Sequence, residues 1–205
     1  SFFDRLDLAQ TGPQRKVNMK KRSLRHWNAV LTVAGLLSCS SVLAEERFTL
    51  IAPDSPLPRV VSGKSQLERD AADDLCRYLS RTTGRKITVS ETAGNAPVII
   101  HVGRDGFVNK NVPRISQIRA DGYLLECVDR DGSLHLVLAG SVGRAAQWAV
   151  ERFLTDHCNV RWLFPDSVHG QVVPTRKTIT VDRRLSKTVE PDFIGRSNCG
   201  MYFFT

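Results

Sequence analysis

The chain has 205 residues, with 29 Lys and Arg against 21 Asp and Glu, a formal charge of +8. Apolar residues make up 41% and charged residues 24%, a globular balance that excludes a wholly disordered, collagen-like or coiled-coil chain. Five cysteines are too few for a small disulfide-built scaffold, and the length suits one domain, or one domain with tails.

The basic excess is concentrated at the start. Residues 1–44 hold seven of the basic residues and only two of the acidic ones. No dense run of Lys and Arg follows, so the basic stripe that a nucleic-acid surface needs is missing and no nucleic-acid partner is expected. From Met19 the chain reads Met-Lys-Lys-Arg, then an apolar run over 29–37, then Ser40-Ser41-Val42-Leu43-Ala44. A cationic segment, a short apolar core and a small-residue exit predict a signal peptide over 19–44, cut after Ala44. Residues 1–18 read as an upstream extension. Leu36-Leu37-Ser38-Cys39 also resembles a bacterial lipobox, which would make Cys39 a lipidation site. The bulky Leu at the second position favours plain cleavage. Both routes take the protein out of the cytoplasm, to the periplasm or beyond, with a membrane contact only through such an anchor. The run is shorter than the roughly 20 residues a spanning helix needs.

After residue 44 the first expected strand is Arg47–Ile51, ended by Pro53, Pro56 and Pro58, with Arg59–Val61 resuming it. Ser65 followed by Glu68 is a capping box. Behind it Leu67, Ala71, Leu75, Tyr78 and Leu79 recur at helical spacing, with Glu68, Arg69, Asp73, Asp74, Arg77 and Arg81 on the charged face. Gly84 closes this helix. Strands are predicted at 86–89 and 98–102, and residues 103–120 read as loop. The stretches 123–128 and 134–139 flank Asp129-Arg130-Asp131-Gly132, an Asp-Gly hairpin signal. A second helix spans about 142–157, its stripe formed by Val142, Ala145, Ala149 and Phe153. Short β segments are expected around 161–164, 171–173 and 178–181. Two long helices and mostly short strand connections predict an α+β fold. It is a two-layer sandwich of a mixed, mostly antiparallel sheet with two near-parallel helices on one face.

Few residue groups point to chemistry. Gly140-Ser141-Val142-Gly143 joins a strand to a helix as phosphate loops do, but lacks the third glycine and any Gly-Lys-Ser/Thr, so it reads as a tight turn. His101, His135, His157 and His169 fall in no metal or paired spacing. Cys76, Cys127, Cys158 and Cys199 contain no CxxC and read as buried thiols. No carboxylate pair has a context suited to glycoside cleavage. No catalytic residue, metal or cofactor is therefore assigned, and the segment is expected to be non-catalytic by itself.

Four stretches resemble a known module. Leu75-Cys76-Arg77-Tyr78-Leu79-Ser80-Arg81-Thr82-Thr83-Gly84, Asp121-Gly122-Tyr123-Leu124-Leu125, Ala139 through Leu154, and Asn159-Val160-Arg161-Trp162-Leu163-Phe164-Pro165 are similar, in order, to the non-catalytic N-terminal domain of exported alpha-glucuronidases and beta-N-acetylhexosaminidases. Ala145 stands where that family often has glycine, and Trp148 where it often has tyrosine. The resemblance implies an accessory domain over 45–185 that supports a catalytic TIM barrel of the same chain. Residues 186–205 would be the linker and first strand of that barrel, cut short at Thr205. Pro191 to Arg196 resembles the family's opening barrel strand, which implies that Arg196 contacts the carbohydrate substrate. Its forked donors suit vicinal hydroxyls or a uronate carboxylate. The alternatives are a free-standing carbohydrate-binding module, with Trp148, Trp162 and Tyr123 as candidate aromatics and the two tryptophans expected in the core, or an exported lipoprotein scaffold.

Overall fold

The computed structural model describes residues 47–164 and 169–192. A five-stranded sheet has the order β2 (Arg59–Ser62), β3 (Val98–Val102), β5 (Ser133–Gly140), β4 (Tyr123–Arg130), β9 (Ser186–Val189). β2, β3 and β5 are mutually parallel, while β4 runs antiparallel to both β5 and β9. β1 (Arg47–Ile51) pairs with β8 (Ile179–Asp182), and β6 (Arg161–Trp162) with β7 (Gln171–Val172), both antiparallel. The α+β class holds, and most of the strand pairings are antiparallel.

Helices α1 (Gln66–Thr83) and α3 (Ala145–Cys158) pack against each other and over one face of the sheet. Each follows a strand of the parallel set, so both start at the same end of the sheet and run back in the same direction. Their apolar stripes meet Ile100 and Val102 of β3 and Leu134, Leu136 and Leu138 of β5 in one core. The alternate residues Val137 and Ala139 face the other side, as the period of two requires. There they meet a cover the sequence reading had as loop: α2 (Gly106–Asn111) and a 3-10 turn (Pro113–Gln117), contributing Val108, Val112 and Ile115. Six residues hold too few apolar positions to show helical periodicity. β5, covered on both faces, is accordingly almost wholly apolar.

The capping box forms as expected. Ser65 Oγ accepts from the Glu68 amide, and Glu68 Oε2 accepts from the Ser65 amide. Gly84 closes α1 in the left-handed region at φ 73°. The hairpin forms around Asp131 and Gly132, both at positive φ, with Arg130 paired to Ser133. That is the geometry of a two-residue primed turn.

Four expectations need correction. Glu68 lies among the buried residues, not on the solvated face, and Leu67 is 54% exposed. Residues 86–89 make a single bridge, Val60 to Val89, because Ser80 Oγ binds the Ile87 amide and carbonyl in place of a strand ladder. The second helix starts at Ala145, the preceding residues forming a turn. β9 adds four residues to the sheet beyond the boundary expected at 185. It is an edge strand with alternating exposure and little apolar character, which left no signal in the sequence.

Glu68 explains two glycines, Gly63 and Gly103. Its Oε1 accepts from the Arg104 amide at 2.7 Å, so one carboxylate holds the start of α1 and the turn after β3 together. Gly103, at φ 85°, lies so close that a Cβ there would come within 2.5 Å of the Glu68 side chain. Gly132 has a similar φ but open space around it. Gly103→Ala is expected to cost about 2–3 kcal/mol and Gly132→Ala about 1 kcal/mol, read from urea unfolding. Equal losses would show that Glu68 moves aside freely.

Candidate functional site

Arg196 and Cys39, the residues the sequence singled out for sugar contact and lipidation, lie outside the described residues. Within them, the structure joins a group of polar side chains that the sequence did not bring together. β3 and β5 pair in a register that sets Ile99 opposite His135. His101, two residues further along β3, therefore lies diagonal to His135 on the same face. His101 Nε2 is 2.9 Å from His135 Nδ1, and His101 Nδ1 is 2.5 Å from Asp105 Oδ2. Phe107 stacks on both imidazoles, with centroids 4.5 and 3.9 Å away. Asp105 also caps α2, its Oδ1 accepting from the Val108 amide at 2.8 Å. Both histidines are buried.

The electrostatics follow from this packing. Burial lowers the His135 pKa, and the neighbouring His101 lowers it further. Hydrogen bonding to the Arg130 backbone and the charges of Asp131 and Asp105 oppose the shift without reversing it. Burial alone would raise Asp105. The hydrogen bond and charge of His101, with the Val108 and Phe107 amides, outweigh it and hold the carboxyl below its usual range. Only one N–H fits in the His101–His135 contact, so two imidazolium rings cannot share it. The group can hold a proton between Asp105 and His135 and pin α2 to the sheet. It is roofed by Phe107 and presents no open nitrogen to a substrate. Among the described residues no group of three or more His, Cys, Asp or Glu is arranged for a metal.

The other expected groups are now placed. His157 stacks on Phe153 at 4.9 Å and forms no pair with its neighbour Cys158. Burial pushes the thiols of Cys76, Cys127 and Cys158 up to about 12. All three are free and far from a thiolate. The turn at Gly140 is tight, since a Cβ there would lie 2.5 Å from the Ala145 backbone. Arg144, just after it, grips Asp121 with a two-bonded fork at 2.6 and 2.7 Å. A polar cleft of about 300 Å³ lies between the end of α3 and the β1–β8 ribbon, lined by Arg47, Asp156, His157, Arg176, Thr180 and Asp182.

Of the candidate aromatics, Tyr123 and Trp148 are partly buried. Trp162, expected in the core, is exposed instead. Its hairpin stands off the main sheet and touches α1, where Trp162 Nε1 donates to Tyr78 Oη at 2.9 Å and the rings meet edge to face at 5.3 Å. Arg77 and Arg81 flank the Tyr78 ring, and Arg81 also binds Gln171. This clamp holds Leu163, Phe164 and Val172 out in solvent. None of the described helices is long and apolar enough to cross a membrane.

The Asp105 knot carries a prediction. His135 has a lowered folded-state pKa, so the unfolded chain binds the proton more readily. Stability is full above the unfolded value of about 6.5 and falls as pH drops below it. His135→Gln should flatten this loss between about pH 6.5 and 5, measured by thermal unfolding. Asp105→Ala removes the α2 cap and leaves a buried ring N–H unpaired, an expected cost of about 2–4 kcal/mol.

No family model matches this chain, and no curated protein matches it. Among solved structures it is similar to a family GH115 4-O-methyl-alpha-glucuronidase with specificity for decorated arabinogalactans. The TM-score is 0.47 and the identity 18%, over 69% of this chain and 18% of that one. The chain thus spans under a fifth of that enzyme's length.

Proposed function

We propose that this chain is the N-terminal accessory domain of an exported bacterial glycoside hydrolase of the alpha-glucuronidase type. It supports a catalytic barrel encoded downstream and does not cleave sugar itself. The observation that carries the reading is how the four resembling stretches contact one another. Asp121, opening the second stretch, is forked by Arg144 of the third. Tyr78 of the first receives the hydrogen bond of Trp162 in the fourth. The residues that carry the resemblance are thus the ones that join strand turn to helix and helix to hairpin. Segments 19–44 direct export, and Arg196 reaches the sugar in the intact enzyme.

The test compares residues 45–192 with the longer chain read from the same frame, assayed on aryl glycosides and glucuronoxylan. The short form is expected to be inactive and the long form active. In the long form Arg196→Ala should lower kcat/KM by about 10- to 100-fold, the worth of a charged hydrogen bond. A stop codon directly after Thr205, or hydrolysis by the short form, would overturn the proposal.

One observation favours a second reading, a carbohydrate-binding module. Trp162 and Phe164 are exposed on one hairpin beside Gln171 and Arg81, an arrangement that offers an aromatic platform with polar side chains at its edge. Glycan-array binding by residues 45–192 that is lost in Trp162→Ala would support it.

A further inference from the structure

The β1–β8 ribbon has two unlike faces. Phe48, Leu50, Ile179 and Val181 are buried in the core. The positions between them carry Arg47, paired in register with Asp182, and Thr180, as the period of two requires. These polar residues, with Thr178 and Arg176 just before β8, form one wall of the cleft of about 300 Å³ whose other wall is Asp156 and His157 at the end of α3. Both walls are tied down. The Arg176 amide donates to the Thr82 carbonyl at the end of α1 at 2.8 Å, and the Thr180 backbone holds a ring nitrogen of His157.

The charges in this cleft do not cancel. Asp156 Oδ2 already accepts from Arg152 at 2.8 Å and from Lys187 at 3.0 Å. Asp182 Oδ1 accepts the Arg184 amide at 2.8 Å. Among the described residues, the guanidinium groups of Arg47 and Arg176 have no carboxylate partner. The last carbonyls of α3 would also draw cations, but they are served elsewhere. Arg161 Nη1 donates to Thr155 O at 2.9 Å, and the Asn159 and Val160 amides donate to Leu154 O. Arg47, Arg176, Arg152 and Lys187 thus stand against Asp156 and Asp182 alone in the cleft and at its rim. The excess is positive, and two of its forks point to no group of the protein.

Two guanidinium forks and the hydroxyls of Thr178 and Thr180 offer about six donors to one space, more than the roughly four lone-pair sites of a carboxylate. A phosphate monoester suits them better, with three acceptor oxygens and a charge of about −1.5 to −2 at neutral pH. A cleft of this size also leaves room for a small polar group beside the phosphate. We infer that the cleft between α3 and the β1–β8 ribbon binds a small phosphate ester, with Arg47 and Arg176 gripping the phosphate and Thr178 and Thr180 completing its hydrogen bonds. The site belongs to this domain itself and stands apart from the glycosidase reading.

The test is isothermal titration calorimetry of the 205-residue chain with glycerol phosphate, against glycerol and glucuronate at the same ionic strength. Glycerol phosphate should bind and glycerol should not, with glucuronate weaker by about tenfold or more, the worth of a charged hydrogen bond. Arg47→Gln and Arg176→Gln should each weaken glycerol phosphate by about tenfold or more on the same ground, with circular dichroism unchanged. Arg69→Gln, on the exposed side of α1, should leave binding as it was. Phenylglyoxal labelling read by peptide mass mapping gives a second measure on the unaltered chain, where glycerol phosphate should shield Arg47 and Arg176. No binding at millimolar glycerol phosphate would overturn the inference. So would glucuronate bound as tightly as the ester, binding that survives both substitutions, or labelling that the ester leaves unchanged. Each of these outcomes is independent of whether a longer chain hydrolyses a glycoside.

Discussion

A single carboxylate organises one end of this fold. That carboxylate is Glu68. It is held by the Ser65 amide and hydroxyl and by the Arg104 amide. The place it fills, between the ends of neighbouring parallel strands and at a helix start, is where such sheets usually seat a bound anion. Here the anion is covalently part of the chain. Gly63 and Gly103 leave the room it needs, since a side chain on either would run into it. The start of α1, the end of β2 and the turn after β3 are therefore fixed relative to one another without a ligand. An acid group buried with its acceptor capacity matched to amide donors avoids most of the cost of leaving water.

The two faces of the sheet are held by different physics. The α1–α3 side is a broad apolar contact, with Phe153, Leu75, Leu79, Leu136 and Leu138 all fully buried. The α2 side is smaller and includes a polar knot, Asp105–His101–His135, capped by Phe107. Apolar packing tolerates small shifts, whereas a chain of hydrogen bonds fails once one donor or acceptor changes protonation. The smaller face is thus the one sensitive to acid.

Most of the framework was readable from residue order because its signals are local. The capping box, the Gly84 stop and the Asp131-Gly132 turn each depend on a few adjacent residues, and each appears where expected. Most of the departures are long-range. Glu68 looks solvated on a helical wheel, and only the arrival of residue 104 buries it. His101 and His135 are 34 residues apart, and their contact depends on the β3–β5 register, which no spacing rule reveals. Trp162 reads as core by its size, yet a two-residue strand pair carries it onto the outer side of α1. β9 has the sequence Ser-Lys-Thr-Val, and only backbone pairing with β4 makes it a strand.

The tight turn at Asp131-Gly132 bears on how the sheet assembles. A hairpin closed by two residues forms in about 1–10 μs, because almost no chain must be gathered first. β4 and β5 are that hairpin, and β5 is also the strand on which β3 aligns. β2 and β3 must first enclose the whole of α1, and β1 meets β8 only from opposite ends of the described chain. On loop length alone the β4–β5 hairpin is expected to pair first and the β1–β8 ribbon last.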